Sequence, residues 1–109
     1  GPGTITKPDG VTVSQGGRQS DEYRIANAGA SLIDTHLLVI VRGLSGQYKL
    51  VNGSGITSGG DPYIRVFLPD GVLKPGQGIV QTLRFQRQGG DNAPPPAYVL
   101  DLLSGQGNP

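Results

Sequence analysis

The sequence predicts an all-β domain, a β-sandwich of seven to eight mostly antiparallel strands. Three observations predict it. Apolar residues alternate with polar ones over short runs, the signature of half-buried strands. Clusters of Gly, Pro, Asn and Asp separate these runs at intervals of roughly 8–12 residues, as they do in β-sandwiches. No segment sustains apolar positions at three- and four-residue spacing over several turns, so no helix is expected. A closed barrel would share this pattern, but unequal strands and variable loops favour the sandwich.

The elements follow in order. After the turn signal Pro8-Asp9-Gly10, Val11-Thr12-Val13 alternates. A strand is read over 18–26, with Tyr23 and Ile25 on one side and Glu22 and Arg24 on the other, and Asn27-Ala28-Gly29 breaks it. A long central strand is read from Leu32, in which Ile33, Thr35, Leu37, Val39 and Val41 share the core-facing parity. Its opposite parity holds Asp34, His36 and Arg42 but also Leu32, Leu38 and Ile40, so its second face should be partly covered. A short strand is read over 47–51, and the glycine-rich stretch 52–60 reads as a loop. Over 63–68, Ile64, Val66 and Leu68 oppose Tyr63, Arg65 and Phe67. Two turn signals, Pro69-Asp70-Gly71 and Leu73-Lys74-Pro75-Gly76-Gln77, lead into a single strand over 79–87. The stretch 88–96 is a Gly/Pro loop. Tyr98, Leu100 and Leu102 alternate in the last strand, and 104–109 is expected to fray into a linker.

At 109 residues the chain reads as one domain, 1–109, with a core over about 4–104 and flexible termini. The 19 glycines and 9 prolines make about a quarter of it. Leu, Ile, Val and Phe nevertheless exceed the roughly 20% typical of disordered chains, so Gly and Pro act as punctuation. A formal net charge of +1 argues against binding nucleic acid or an anionic membrane through bulk charge. The chain contains no cysteine, which excludes disulfides, thiol nucleophiles and cysteine-ligated zinc. The longest apolar run, Leu37 to Val41, is far short of the roughly 20 residues that span a bilayer, so no transmembrane segment is expected. Gly1-Pro2-Gly3 reads as a linker end, with no visible leader.

One ordered set of motifs carries a resemblance. Tyr23-Arg24-Ile25-Ala26-Asn27 is followed by Leu37-Leu38-Val39-Ile40-Val41-Arg42-Gly43-Leu44, by Pro62-Tyr63-Ile64, by Leu73-Lys74-Pro75-Gly76-Gln77 and by Leu83-Arg84-Phe85. Over about residues 11–104 this order resembles immunoglobulin-like, fibronectin-III-like accessory domains of secreted or surface bacterial proteins. The chain departs from that pattern after Phe85, where 88–96 is longer and richer in proline. The resemblance implies an extracellular location, secreted or at the cell surface. It also implies neighbouring domains in a larger chain and a spacer or binding role, and it supplies no catalytic residues.

The residues that could carry chemistry are few. His36 has no second imidazole beside it, and Asp34 is only its strand neighbour, so a polar outer-face position is expected for both. The carboxylates are scattered. Asp91-Asn92 comes nearest to the dense oxygen cluster that calcium needs, while Asp9, Asp61 and Asp70 sit in turns. A glycosidase pair needs two carboxyls across a cleft, and the chain has one Glu. The glycines around 53–60 lack the Lys-Ser/Thr ending of a phosphate loop. Asn52-Gly53-Ser54 fits a glycosylation acceptor, and Lys7 and Asn108 are the residues an intramolecular isopeptide bond would use.

No catalytic, cofactor-binding or metal-binding residues are therefore assigned, and no enzyme activity is expected. Among the aromatics, Tyr23, Phe85 and Tyr98 share parity with the core. Tyr63 and Phe67, outward on one strand with Arg65 between them, form the candidate ligand platform. The same residues would equally serve to cover a sheet face against a neighbouring domain. Two functions stay open: a non-catalytic spacer or protein-interaction module, and a carbohydrate-binding module that holds an attached enzyme on a polysaccharide.

Overall fold

The computed structural model describes residues 5–15, 21–89, 94–105 and 107–109 of the chain, and these residues form no helix. The strands are β1 (Ile5–Thr6), β2 (Val11–Gln15), β3 (Glu22–Asn27), β4 (Leu37–Arg42), β5 (Tyr48–Leu50), β6 (Gly55–Ile56), β7 (Pro62–Arg65), β8 (Gly78–Thr82), β9 (Phe85–Arg87) and β10 (Val99–Gly105). They form three sheets, ordered β1-β10-β4-β7-β6, β2-β3-β8 and β5-β9. All of these pairings are antiparallel. The all-β expectation holds, although the described residues carry more strand segments than the expected seven or eight.

Parity builds the core. Val39 on β4 faces Leu102 on one side and Ile64 on the other, so three inward apolar residues line up across the five-stranded sheet. Ile25 of β3 meets Leu37, Val39, Val66 and Leu73 in one buried cluster. A second cluster joins Val41, Leu50, Ile64 and Leu83, with Tyr23, Phe85, Tyr98 and Leu100 packed against it. Both clusters draw on more than one sheet, and that shared burial holds the sheets together.

Several boundaries differ from the sequence reading. The central strand begins at Leu37 rather than Leu32, because Ile33 forms an isolated bridge with Leu73 and the chain bends at Thr35. Residues 18–20 of the strand read over 18–26 lie outside the described residues. The strand read over 63–68 ends at Arg65, although Val66 still donates to the Leu37 carbonyl at 2.8 Å. Inside the expected loop 52–60, Gly55 and Ile56 form β6 against β7, and Ile5–Thr6 adds β1 beside β10.

The expected single strand over 79–87 is two strands serving different partners. Leu83 N–H makes the last rung to Asp21 O at 2.9 Å, and Arg84 O accepts from Val51 N–H at 2.7 Å as the next pairing begins. Between the two ladders, the Asn52 side chain donates to Thr82 O at 2.8 Å and accepts from Arg84 N–H at 3.0 Å. Asn52 thus satisfies the two backbone groups that the change of partner orphans. Its amide nitrogen, the atom a glycan would need, is engaged.

The end of the chain does not fray as expected. β10 runs through Gly105, whose N–H donates to His36 O at 3.1 Å, and Pro109 O accepts from Ser58 N–H at 3.2 Å. Ser58 follows β6, beyond β4 and β7 in the sheet order, and Gly107 is buried. Leu38 and Ile40, which point to the outer side of the five-stranded sheet, are fully buried, in agreement with the second covered face read from the sequence. On the same sheet Arg42 pairs with Asp101 at 3.0 Å and Asp61 at 3.2 Å, and Lys7 pairs with Asp101 at 3.5 Å. Lys7 therefore meets Asp101 rather than Asn108, which is exposed. Such solvent-facing pairs contribute little each, about 0–1 kcal/mol.

Candidate functional site

β7 sets the direction of the candidate ligand residues. Tyr63 and Arg65 sit opposite Ile40 and Leu38 of β4, which places both on the outer face of the five-stranded sheet. Tyr63 is only half exposed. A Cβ added at Gly55 would fall 2.8 Å from the Tyr63 hydroxyl and 3.0 Å from the ring, so the phenol end of Tyr63 packs closely against Gly55 and would have to shift for a larger residue there.

Phe67 lies beyond the end of β7 and is 78% exposed. With Asp34, Thr35, His36, Arg65 and Gly71 it lines an open hollow of about 230 Å³. The Val66-to-Leu37 hydrogen bond clamps the two segments that form its walls. The structure thus brings Phe67 and Arg65 together with Asp34 and His36, and Tyr63 is not part of this lining. Asp91 and Asn92, the nearest approach to a calcium motif, lie outside the described residues. Among the described residues, no group of three or more His, Cys, Asp or Glu could hold a metal ion.

A second feature was not read from the sequence. Tyr23, Tyr48, Phe85 and Tyr98 form one continuous group of rings, with centroids 6.3 Å apart for Tyr23–Tyr98, 5.2 Å for Phe85–Tyr98 and 6.5 Å for Tyr48–Phe85. The first and last are edge-on, a favoured arrangement for aromatic quadrupoles. Tyr48, to which the sequence reading gave no role, is the buried member, whereas Tyr23, Phe85 and Tyr98 are half-buried. Its hydroxyl donates to the Pro94 carbonyl, which ties the proline-rich segment down. An open groove of about 570 Å³ runs beside it, lined by Asp21, Tyr48, Phe85, Arg87, Pro95 and Pro96. Parity could not reveal this group, because its members come from β3, β5, β9 and the residue preceding β10.

Tyr98 donates its hydroxyl proton to Asp21 at 3.0 Å, so the 2.8 Å contact with Tyr23 is a hydrogen bond that Tyr23 donates. Burial, then the Tyr23 hydroxyl and the Asp21 carboxyl, hold the Tyr98 phenol well above its ordinary ionisation range. The folded state keeps this proton where the unfolded chain releases it, so stability is intact below about pH 10 and falls as pH rises past it. Tyr98→Phe should cost about 1–2 kcal/mol at neutral pH. It should also flatten the alkaline fall of the urea midpoint. A variant whose midpoint tracks wild type from neutral to alkaline pH would show that Asp21 and Tyr23 do not share this proton.

No protein-family model, no curated protein and no solved structure matches this chain.

Proposed function

We propose that the chain is a non-catalytic immunoglobulin-like β-sandwich. In this reading it serves as a spacer or interaction module in a secreted or cell-surface multidomain protein. Support for the sandwich comes from core clusters shared between the five-stranded sheet and the smaller sheets, and from a shortest dimension of 19 Å, which suits two layers of backbone. The observation that carries the functional reading is the use made of the aromatic rings. Four of the six pack onto one another and a fifth packs against Gly55, so they chiefly tie the scaffold together, and of these only Tyr48 and Phe85 also line the open groove beside the proline-rich segment. Partners in this reading are neighbouring domains and other proteins.

One observation favours the second reading, a carbohydrate-binding module. Phe67 presents an open ring beside Arg65, Asp34 and His36, and an apolar plate with polar groups at its rim suits a sugar ring. Affinity electrophoresis against soluble derivatives of cellulose, xylan, chitin and mannan separates the two. Unretarded migration on all four is the expected result. Retardation on one polymer that Phe67→Ala abolishes and Tyr63→Ala leaves in place, with both variants folded, would replace the spacer with the sugar module.

A further inference from the structure

We propose that β2 is a self-association edge, and that a second copy of this chain adds its own β2 there in antiparallel register. The hydrogen-bonding pattern identifies the open groups. Ala28 N–H donates to Gly10 O at 2.7 Å, which makes Gly10 and Ala28 a hydrogen-bonded pair in the β2–β3 register. Alternation along an antiparallel ladder then assigns Thr12 and Ser14 to β3 and turns the N–H and C=O groups of Val11, Val13 and Gln15 away from it. The far side of β3 agrees. Its residues Asn27 and Asp21 bond towards β8, through Asn27 N–H to Gln77 O and Leu83 N–H to Asp21 O, so the even residues of β3 serve β2. β2 ends its sheet, and no strand among the described residues pairs with its other edge.

The remaining sheet edges are poorer templates: β8 is also five residues long, but its Thr82 carbonyl already accepts from the Asn52 and Gln81 side chains, and β9 is three residues long. β1 and β6 are two residues long. β5 is three residues long, carries Lys49, and has Tyr48 N–H and Leu50 O engaged by Ser45 and Gly53. β2 offers five residues with none of the lysine, proline or acidic side chains that protect natural edges.

Its own sequence selects the occupant. Val11-Thr12-Val13-Ser14 alternates apolar and hydroxyl side chains, with the valines half-buried at the rim of the core and Thr12 and Ser14 exposed. In a twofold antiparallel pairing centred on Val13, Val13 meets its own copy and Val11 falls opposite the partner's Gln15. On the outer side Thr12 meets the partner's Ser14, a favourable cross-strand hydroxyl pair. This surface is separate from the Phe67 hollow, so the inference stands whichever function above holds.

The test is sedimentation equilibrium from about 1 μM to about 1 mM, the range in which small interfaces dissociate, combined with amide exchange. Wild type should dimerise. The Val11, Val13 and Gln15 amides should become protected as concentration rises, while Thr12 and Ser14 stay protected throughout. The exposed double substitution Thr12→Lys/Ser14→Lys sets like charges opposite each other and should weaken the dimer at least about tenfold. Thr12→Glu/Ser14→Lys should restore it. A monomer at about 1 mM, or a dimer that the double lysine variant leaves unchanged, overturns the proposal. The wild-type amide pattern decides the matter even if that variant misfolds.

Discussion

Val39→Asp is expected to unfold the protein at room temperature or to remove most of its stability. Val39 sits at the middle of β4, flanked in register by Leu102 and Ile64, and is buried among Ile25, Leu37, Val66 and Leu73. Removing the valine forfeits about 1.5–3 kcal/mol of apolar burial. The carboxylate then has no partner in this cluster, and an unpaired buried charge costs several kcal/mol more. Domains of this size are stable by about 5–15 kcal/mol, so the two losses consume most of the margin. Burial would raise the new carboxyl's pKa, so any residual stability should be greatest in acid and disappear as pH rises through that pKa. Circular dichroism and urea titration measure it, with Arg65→Asp on the exposed side of β7 as a near-neutral control. If Val39→Asp melts where wild type melts, the inward parity of β4 is wrong.

How far the sequence could be read follows from the same parities. Alternation records which face a residue presents, and it placed Ile64, Val66, Leu100 and Leu102 correctly because facing is a local property. It does not record which strand lies alongside. The switch of partner between Leu83 and Arg84 leaves the alternation unbroken and depends on Asn52, some 30 residues away. β6 escaped notice because its signal is not its own side chain but the Tyr63 ring that Gly55 accommodates. The same holds for the candidate site. Arg65 and Phe67 face outward as their alternation implies. Their grouping with Asp34 and His36 arises from the bend at Thr35 and the Val66-to-Leu37 hydrogen bond, which leave no periodic trace.

Asn27 supplies the second large effect, and its role exceeds that of the strand breaker it resembles in sequence. It ends β3 with 1% of its surface exposed, yet every polar group it has is used. The side-chain amide donates to Ser31 O at 2.7 Å and to Leu73 O at 3.0 Å, and Oδ1 accepts from Gly29 N–H at 3.0 Å. Its backbone N–H donates to Gln77 O and its carbonyl accepts from Gly76 N–H. One side chain therefore fixes the turn after β3 and holds it to Leu73, whose backbone also bridges Ile33. Asn27→Ala takes these partners from the Ser31 carbonyl and Gly29 N–H and one of two donors from the Leu73 carbonyl, which Ile33 N–H still serves, and should cost about 2–4 kcal/mol. Asn27→Asp is nearly isosteric and should be worse at neutral pH, by about 4 kcal/mol or more, because it aims a buried carboxylate oxygen at two carbonyl oxygens. When protonated, the same carboxyl can donate one of the lost hydrogen bonds. Its folded-state pKa is thus raised, and the protection it gives is present in acid and lost as pH rises through that value. Relative to wild type, the urea midpoint of Asn27→Asp should therefore recover between neutral pH and about pH 4, while that of Asn27→Ala should not. Parallel behaviour of the two variants across that range would mean that the side-chain amide does not hold the Ser31 and Leu73 carbonyls.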